Sequence, residues 1–297
     1  MSGVEVRGLT KRYGTLTAVD DLSFTVRPGA VTAFLGPNGA GKTTTMRMMV
    51  GHVAPTSGGV TIGGRRYRDL PRPTTVVGAA FDGAAFHPRH SARNHLRIYA
   101  AMGGHPGRRV EELLGLLGLA AAGDRATGTY STGMRQRLSL ATALLGDPGV
   151  LLLDEPGNGL DPEGTAWLRA FLRELAGEGR AVLVSSHALG EVQQVADDVV
   201  VIRRGRLVAA GALGELAGAA HVVRVSSPDA DRLARVLAPA ARAIDLDGPH
   251  DLRVHGLEPA RIADLAAAHE LRVHGLAADR PSLEELFLDL TGERTDA

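Results

Sequence analysis

Gly36-Pro37-Asn38-Gly39-Ala40-Gly41-Lys42-Thr43 is the stretch that decides how this chain is read. It is a G-x-x-x-x-G-K-T loop. Before it, Ala30–Leu35 is a short apolar run of strand length, and after it Lys42–Gly51 reads as a helix. Glycines let the backbone wrap phosphate groups with its N–H groups pointing inward, and a helix N-terminus adds favourable dipole charge. Lys42 is placed to reach the β and γ phosphates, and the Thr43 hydroxyl to ligate Mg²⁺. The whole run Gly36–Thr43, Ala40 included, and Thr44 beyond it are expected to line a nucleotide.

Downstream, Val150-Leu-Leu-Leu-Asp154-Glu155-Pro156 is a buried-type apolar run that ends in two adjacent carboxylates. Burying carboxylates is costly without a cation. Mg²⁺ would supply that cation at Asp154, and Glu155 would then stand where it can polarise a water attacking a γ phosphate.

The elements around these two motifs alternate. Val4–Val6, Ser23–Val26 and Val60–Ile62 read as strands, with turns at Arg27-Pro28-Gly29 and Ser57-Gly58-Gly59. Asn94–Met102, Arg109–Leu117 and Arg135–Leu145 carry helical spacing of apolar residues. Ala181–Ser185 and Val199–Ile202 read as buried strands, and Gly164–Ala176 and Leu189–Ala196 as helices. Strands alternating with helices predict a parallel α/β sheet. Gly211–Ala220 reads as a connector. Beyond it, strand–helix–strand occurs twice, with strands near Val222–Val225, Arg242–Leu246, Leu252–His255 and Leu271–His274 and helices near Asp229–Leu237 and Pro259–His269. That pattern suits a small ferredoxin-like unit. LRVHGL occurs at Leu252–Leu257 and again at Leu271–Leu276, and each copy reads as a half-buried strand. Two solvated strand faces explain His255 and His274 better than a metal pair does.

Composition narrows the classes. The chain has 297 residues, with 33 Lys+Arg against 33 Asp+Glu, a balance that argues against a general binder of nucleic acid or anionic membrane. It has no cysteine, which excludes disulfides, thiolate zinc sites and thiol nucleophiles. The N-terminus lacks the apolar stretch of a signal peptide, and no apolar run approaches the ~20 residues of a spanning helix. Only Lys11 and Lys42 are lysines; every other basic residue is arginine.

Across roughly residues 3–212 these motifs resemble the ATP-binding subunit of an ABC (ATP-binding cassette) transporter. Tyr13 matches the family's adenine-stacking aromatic. Tyr130-Ser131-Thr132-Gly133-Met134-Arg135-Gln136 falls where the family's LSGGQ signature lies; Ser131 and Gly133 match it, while Tyr130, Thr132 and Met134 depart. The resemblance implies that Ser131 and Gly133 hold a γ phosphate, that Asp161 of Asn158-Gly159-Leu160-Asp161 is the D-loop acid, and that His187 is the switch histidine. Asp82 stands where the family usually has a Gln; an acid there can approach Mg²⁺ directly or through water. Lys42, Glu155 and His187 are the implied catalytic groups.

The resemblance implies a P-loop cassette with RecA-like core, antiparallel β subdomain and helical subdomain (about 84–145) over residues 1–212. It is followed by an accessory α/β domain over 221–297. Its cofactors are ATP and Mg²⁺. Its partners are a second ATP-binding subunit, as a homodimer with ATP sandwiched between two copies, and an integral-membrane permease. No nucleic acid is expected, and membrane attachment comes only through the permease, on the cytoplasmic face of the cell membrane. The tail Pro281–Gly292 (PSLEELFLDLTG) resembles that of the bacterial drug-resistance exporter ATPases, the daunorubicin and bacitracin type. The permease would dock near Asp82–Leu96, a stretch followed closely by Ile98 and Tyr99.

Overall fold

The computed structural model describes residues 3–81, 86–187, 194–219 and 222–279. The chain divides into two units, Met1–Ala210 and Gly211–Ala297. Among the described residues no helix is long and apolar enough to cross a membrane.

In the first unit, β1 (Val4–Tyr13), β2 (Leu16–Val26) and β4 (Ser57–Ile62) make an antiparallel sheet in the order β2-β1-β4. The second sheet has six strands, β3 (Ala30–Leu35), β5 (Val77–Ala80), β6 (Val150–Asp154), β7 (Ala181–Ser186), β8 (Asp198–Arg203) and β9 (Arg206–Ala212), in the order β5-β6-β7-β3-β8-β9. All pairs from β5 to β8 are parallel. β3, β6 and β7 are buried along their whole length and are apolar apart from Thr32, Asp154, Ser185 and Ser186. The turn between β8 and β9 is Arg204-Gly205, both at positive φ, the geometry of a two-residue hairpin.

Between the two sheets lies α1 (Lys42–Met49). Its Met46 and Met49 join Leu22, Phe24, Phe34 and Leu152 in one buried cluster. The core therefore clamps the helix whose N-terminus carries the phosphate loop. The helical segment holds α2 (Ala92–Gly103), α3 (Arg108–Leu116) and α4 (Thr132–Ala143), and α5 (Pro162–Gly177) follows β6. Hydroxyl or carboxylate caps set three helix starts: Ser91 accepts from Asn94 N–H, Ser131 from Met134 N–H and Asp161 from Gly164 N–H. The Ser131 cap starts α4 three residues earlier than the apolar spacing predicts.

Ser57-Gly58-Gly59 is not a turn. It belongs to β4, and a Cβ at Gly58 would stand 2.1 Å from the Gly8 carbonyl oxygen of β1. The glycines serve the close approach of two backbones at an irregular stretch of the ladder.

The second unit holds α6 (Leu213–Ala219), β10 (Val222–Ser226), α7 (Ala230–Leu237), β11 (Ala243–Leu246), β12 (Asp251–His255), α8 (Pro259–Ala268) and β13 (Gly275–Asp279). Its sheet is antiparallel in the order β11-β12-β10-β13, the ferredoxin-like arrangement. Leu233 and Leu237 of α7 and Ile262 of α8 bury against Val223, Val225, Leu252 and Val254. Two expectations are corrected. Much of Gly211–Ala220 is helix α6 rather than connector. The second LRVHGL copy is not a strand: Leu271 N–H closes the end of α8 on the Ala266 carbonyl, and Leu271 is buried there. The strand begins only at Gly275, after His274 N–H meets the Ser226 carbonyl. The helix predicted at Leu189–Ala196 and the tail Pro281–Gly292 lie wholly or largely outside the described residues.

Candidate functional site

The phosphate loop leaves the end of β3 and enters α1. Gly41 has φ +108, and a Cβ there would lie 2.6 Å from the Ala18 carbonyl; a Cβ at Gly36 would lie 2.4 Å from the Ile202 carbonyl. Both positions need glycine because neighbouring backbone fills the space. Gly39, at φ +79, faces open space and is a glycine for its conformation alone. Lys42 is 6% exposed, and its Nζ donates to the Gly36 carbonyl at 2.7 Å. That bond folds the side chain back along the loop.

β6 delivers the carboxylate pair beside it. Asp154, 4% exposed, accepts from Thr43 Oγ1 at 2.8 Å and from Ser185 Oγ at 2.6 Å. Glu155 adopts left-handed backbone, φ +50, rare for a residue with a side chain. Its carboxylate meets the Lys42 ammonium at 3.4 Å and His187 Nδ1 at 2.9 Å. His187, half exposed, leaves the end of β7 next to it.

These groups share one cleft of about 540 Å³. It is lined by Tyr13, Pro37, Asn38, Gly39, Ala40, Gly41, Lys42, Thr43, Thr44, Asp154, Glu155 and His187, together with Leu16, Ala18 and Asn158. Tyr13 stands half exposed at its rim, at the β1–β2 turn, and Lys11 Nζ lies over its ring 4.8 Å from the centroid while donating to the Ala54 carbonyl. One cation, buried or half-buried oxygen donors, a carboxylate–imidazole pair and a flat apolar ring suit a nucleoside triphosphate.

Ser131, Gly133 and Asp161 are not brought to that cleft. They line a second groove of about 470 Å³ with Thr132, Arg137 and Trp167. Its floor is where α4 and α5 begin, so Ser131 and Asp161 serve as helix caps while facing it. Tyr130, which departs from the signature pattern, is buried and donates its hydroxyl to the Ala122 carbonyl at 2.7 Å. Thr132 packs toward Gly159, where an added Cβ would come 2.9 Å from the Thr132 methyl carbon. Asp82 lies outside the described residues.

Sequence reading missed Leu16 and Ala18 of the cleft wall, which carry no chemical mark. It also missed Ser185, whose mark was available: a hydroxyl at the end of a wholly buried strand needs partners.

Comparison with known proteins agrees with the geometry. A family model described as ABC transporter matches residues 19–158, and residues 220–284 match a domain of unknown function. The chain is 42% identical over 208 residues to the uncharacterized ABC transporter ATP-binding protein YhcH of Bacillus subtilis, covering 69% of this chain and 68% of that one. It is 39% identical over 208 residues to the bacitracin transport ATP-binding protein BcrA of Bacillus licheniformis, with the same coverage of 69% and 68%. A solved structure of the ATP-binding subunit of an ABC transporter superposes with TM-score 0.65 at 29% identity, covering 72% of this chain and 91% of that one. This chain belongs to the ATP-binding proteins of ABC transporters, and ATP hydrolysis is its reaction.

Proposed function

We propose that this chain powers an ABC exporter of antibiotics or other drugs, as one of two identical ATPase subunits docked on a separate membrane permease. The observation that carries the reading is the assembly of Lys42, Thr43, Asp154, Glu155 and His187 in one cleft, while Ser131 and Gly133 stand in another. A γ phosphate held by the first set and met by the second would then lie between two copies of the chain. The 39% identity to a bacitracin transport protein supports the choice of cargo class.

Mg²⁺ fits this cleft. Thr43 and Asp154 offer hard oxygen donors, and the buried Asp154 carboxylate is met by two hydroxyls, neither of which offsets its charge. Thr43 and Asp154 would hold the ion, with Asp82 a further acidic oxygen. When bound, Mg²⁺ neutralises charge on the β and γ phosphates. Lys42 holds the same phosphates, and the Tyr13 ring stacks on adenine. Glu155 orients the attacking water and accepts its proton. His187 fixes the Glu155 carboxylate and reaches toward the γ phosphate. The water oxygen bonds to the γ phosphorus, the β–γ bridging bond breaks, and ADP and phosphate leave.

The permease would meet the outer side of α2, where Ile98, Tyr99 and Met102 are exposed beside a buried Leu96. That contact would place the ATPase on the cytoplasmic face of the membrane. The test is genetic and biochemical together. A strain lacking this chain should become more sensitive to peptide or anthracycline antibiotics, and the tagged chain should co-purify with a multi-span membrane protein. Unchanged sensitivity with no membrane partner would contradict the reading.

A second reading has one observation in its favour. The chain is 37% identical over 257 residues, 82% of its length, to the Nod factor export ATP-binding protein I of Ralstonia nicotianae, covering 79% of that protein. Export of a cargo other than a drug would follow from that likeness and would leave drug sensitivity unchanged.

A further inference from the structure

Ser185 is fully buried in a strand that is otherwise apolar up to its last two residues. A hydroxyl carries one donor and can accept, and burial without partners would be costly. Both capacities are used, and both on the carboxylate pair. Ser185 Oγ donates to Asp154 Oδ1 at 2.6 Å and accepts from the Glu155 backbone N–H at 2.9 Å. Ser185 and Asp154 are direct cross-strand partners in the parallel β6–β7 pair, so the sheet register itself sets this meeting.

We propose that Ser185 is a positioning residue for ATP hydrolysis, acting on both Asp154 and Glu155 through one oxygen. The inference rests on the cleft reading of Glu155 and Asp154 given above. Two geometrical facts support it. With Oδ1 engaged by Ser185, the other Asp154 oxygen is turned to Thr43 on the phosphate-loop side. Glu155 sits at φ +50, a conformation that persists only where surroundings hold it. The bond from its N–H to Ser185 is such a hold, and it fixes the start of the side chain that reaches Lys42 and His187. Without the hydroxyl, the Glu155 N–H is orphaned. The residue then relaxes toward ordinary backbone and carries its carboxylate away from the attacking water. Nucleotide binding, which depends on the loop, is left in place.

The test uses the full chain. Steady-state ATP hydrolysis and equilibrium ATP binding are measured for the wild type, Ser185→Ala, Ser185→Thr and Glu155→Gln, with thermal unfolding as the folding check. Ser185→Ala should lower kcat at least about tenfold, with ATP affinity held within about threefold, because the alignment of the Asp154 and Glu155 carboxylates is lost while the phosphate loop is kept. Ser185→Thr, which keeps the hydroxyl, should recover most of kcat. Wild-type kcat in Ser185→Ala would overturn the proposal, as would a loss that appears only as weaker ATP binding. If Glu155→Gln abolishes turnover while Ser185→Ala does not, the positioning role fails and the cleft reading stands. If Glu155→Gln turns over normally, the cleft reading falls and this proposal with it.

Discussion

His187 Nδ1 lies 2.9 Å from Glu155 Oε2, and the other oxygen of the same carboxylate lies 3.4 Å from the Lys42 ammonium. One carboxylate thus joins the phosphate loop to the end of β7. The imidazole is the exposed member of the set and Lys42 the buried one. Removing each should have a different kinetic signature.

His187→Ala leaves the loop and its lysine untouched. We expect kcat to fall by about 10²-fold, because the carboxylate that takes the water's proton loses the imidazole that fixes it, with ATP affinity changed by less than about threefold. Rapid-quench or coupled-assay kinetics beside equilibrium binding check this. A loss confined to affinity would place His187 in binding instead.

Lys42→Arg keeps the charge and changes the shape. Lys42 is almost wholly buried and folds onto the Gly36 carbonyl, and a planar guanidinium does not fit that turn. ATP affinity or turnover should drop by about tenfold or more, a cost of about 1.4 kcal/mol or greater. This is a sharp test because arginine supplies every other positive side chain except Lys11. Wild-type behaviour in Lys42→Arg would show that shape is unimportant there.

Much of the site is legible in the sequence because its chemistry is contiguous. Gly36–Thr43 and Asp154-Glu155 are short runs whose flanking strands and helix are equally local. What is not legible depends on distant backbone. Gly58 looks like a turn residue until Gly8 is brought against it. The two LRVHGL copies are identical, yet one is a strand and the other closes a helix, because α8 ends immediately before the second. Ser185 gains its meaning only when register sets it opposite Asp154.

Gly159→Ala should destabilise the fold by about 1–3 kcal/mol, since φ is +72 and the new Cβ would stand 2.9 Å from the Thr132 methyl carbon. Thr132→Gly in the same chain should return part of that loss, the steric part but not the backbone part. A double-mutant cycle by chemical denaturation measures the coupling. Strict additivity would show that Thr132 and Gly159 do not share the contact.

His95 gives a pH prediction. Burial, with a smaller contribution from nearby His90, lowers its pKa from 6.5 to about 4. The ring lies 3.1 Å from the Thr142 hydroxyl and packs against Phe86 and Tyr99. The folded value is below the unfolded one, so the folded chain resists protonation. The stability contributed by the neutral ring is full above 6.5 and is lost as pH falls toward 4. The Tm difference between wild type and His95→Gln should therefore shrink as pH drops from 7.5 to 5. A difference independent of pH would mean that His95 does not titrate with unfolding.

The proposed mechanism makes Glu155 the base for ATP hydrolysis at a site completed by a second copy. Glu155→Gln, purified and given Mg²⁺ and ATP, tests it in one size measurement by light scattering. Glutamine keeps the shape and cannot take the water's proton, so ATP should stay uncleaved between two copies. Glu155→Gln should shift from monomer to dimer on adding ATP but not ADP, with turnover reduced by about 10²-fold or more. A variant that stays monomeric with ATP and hydrolyses it at the wild-type rate would show that Glu155 is not the base of a shared site.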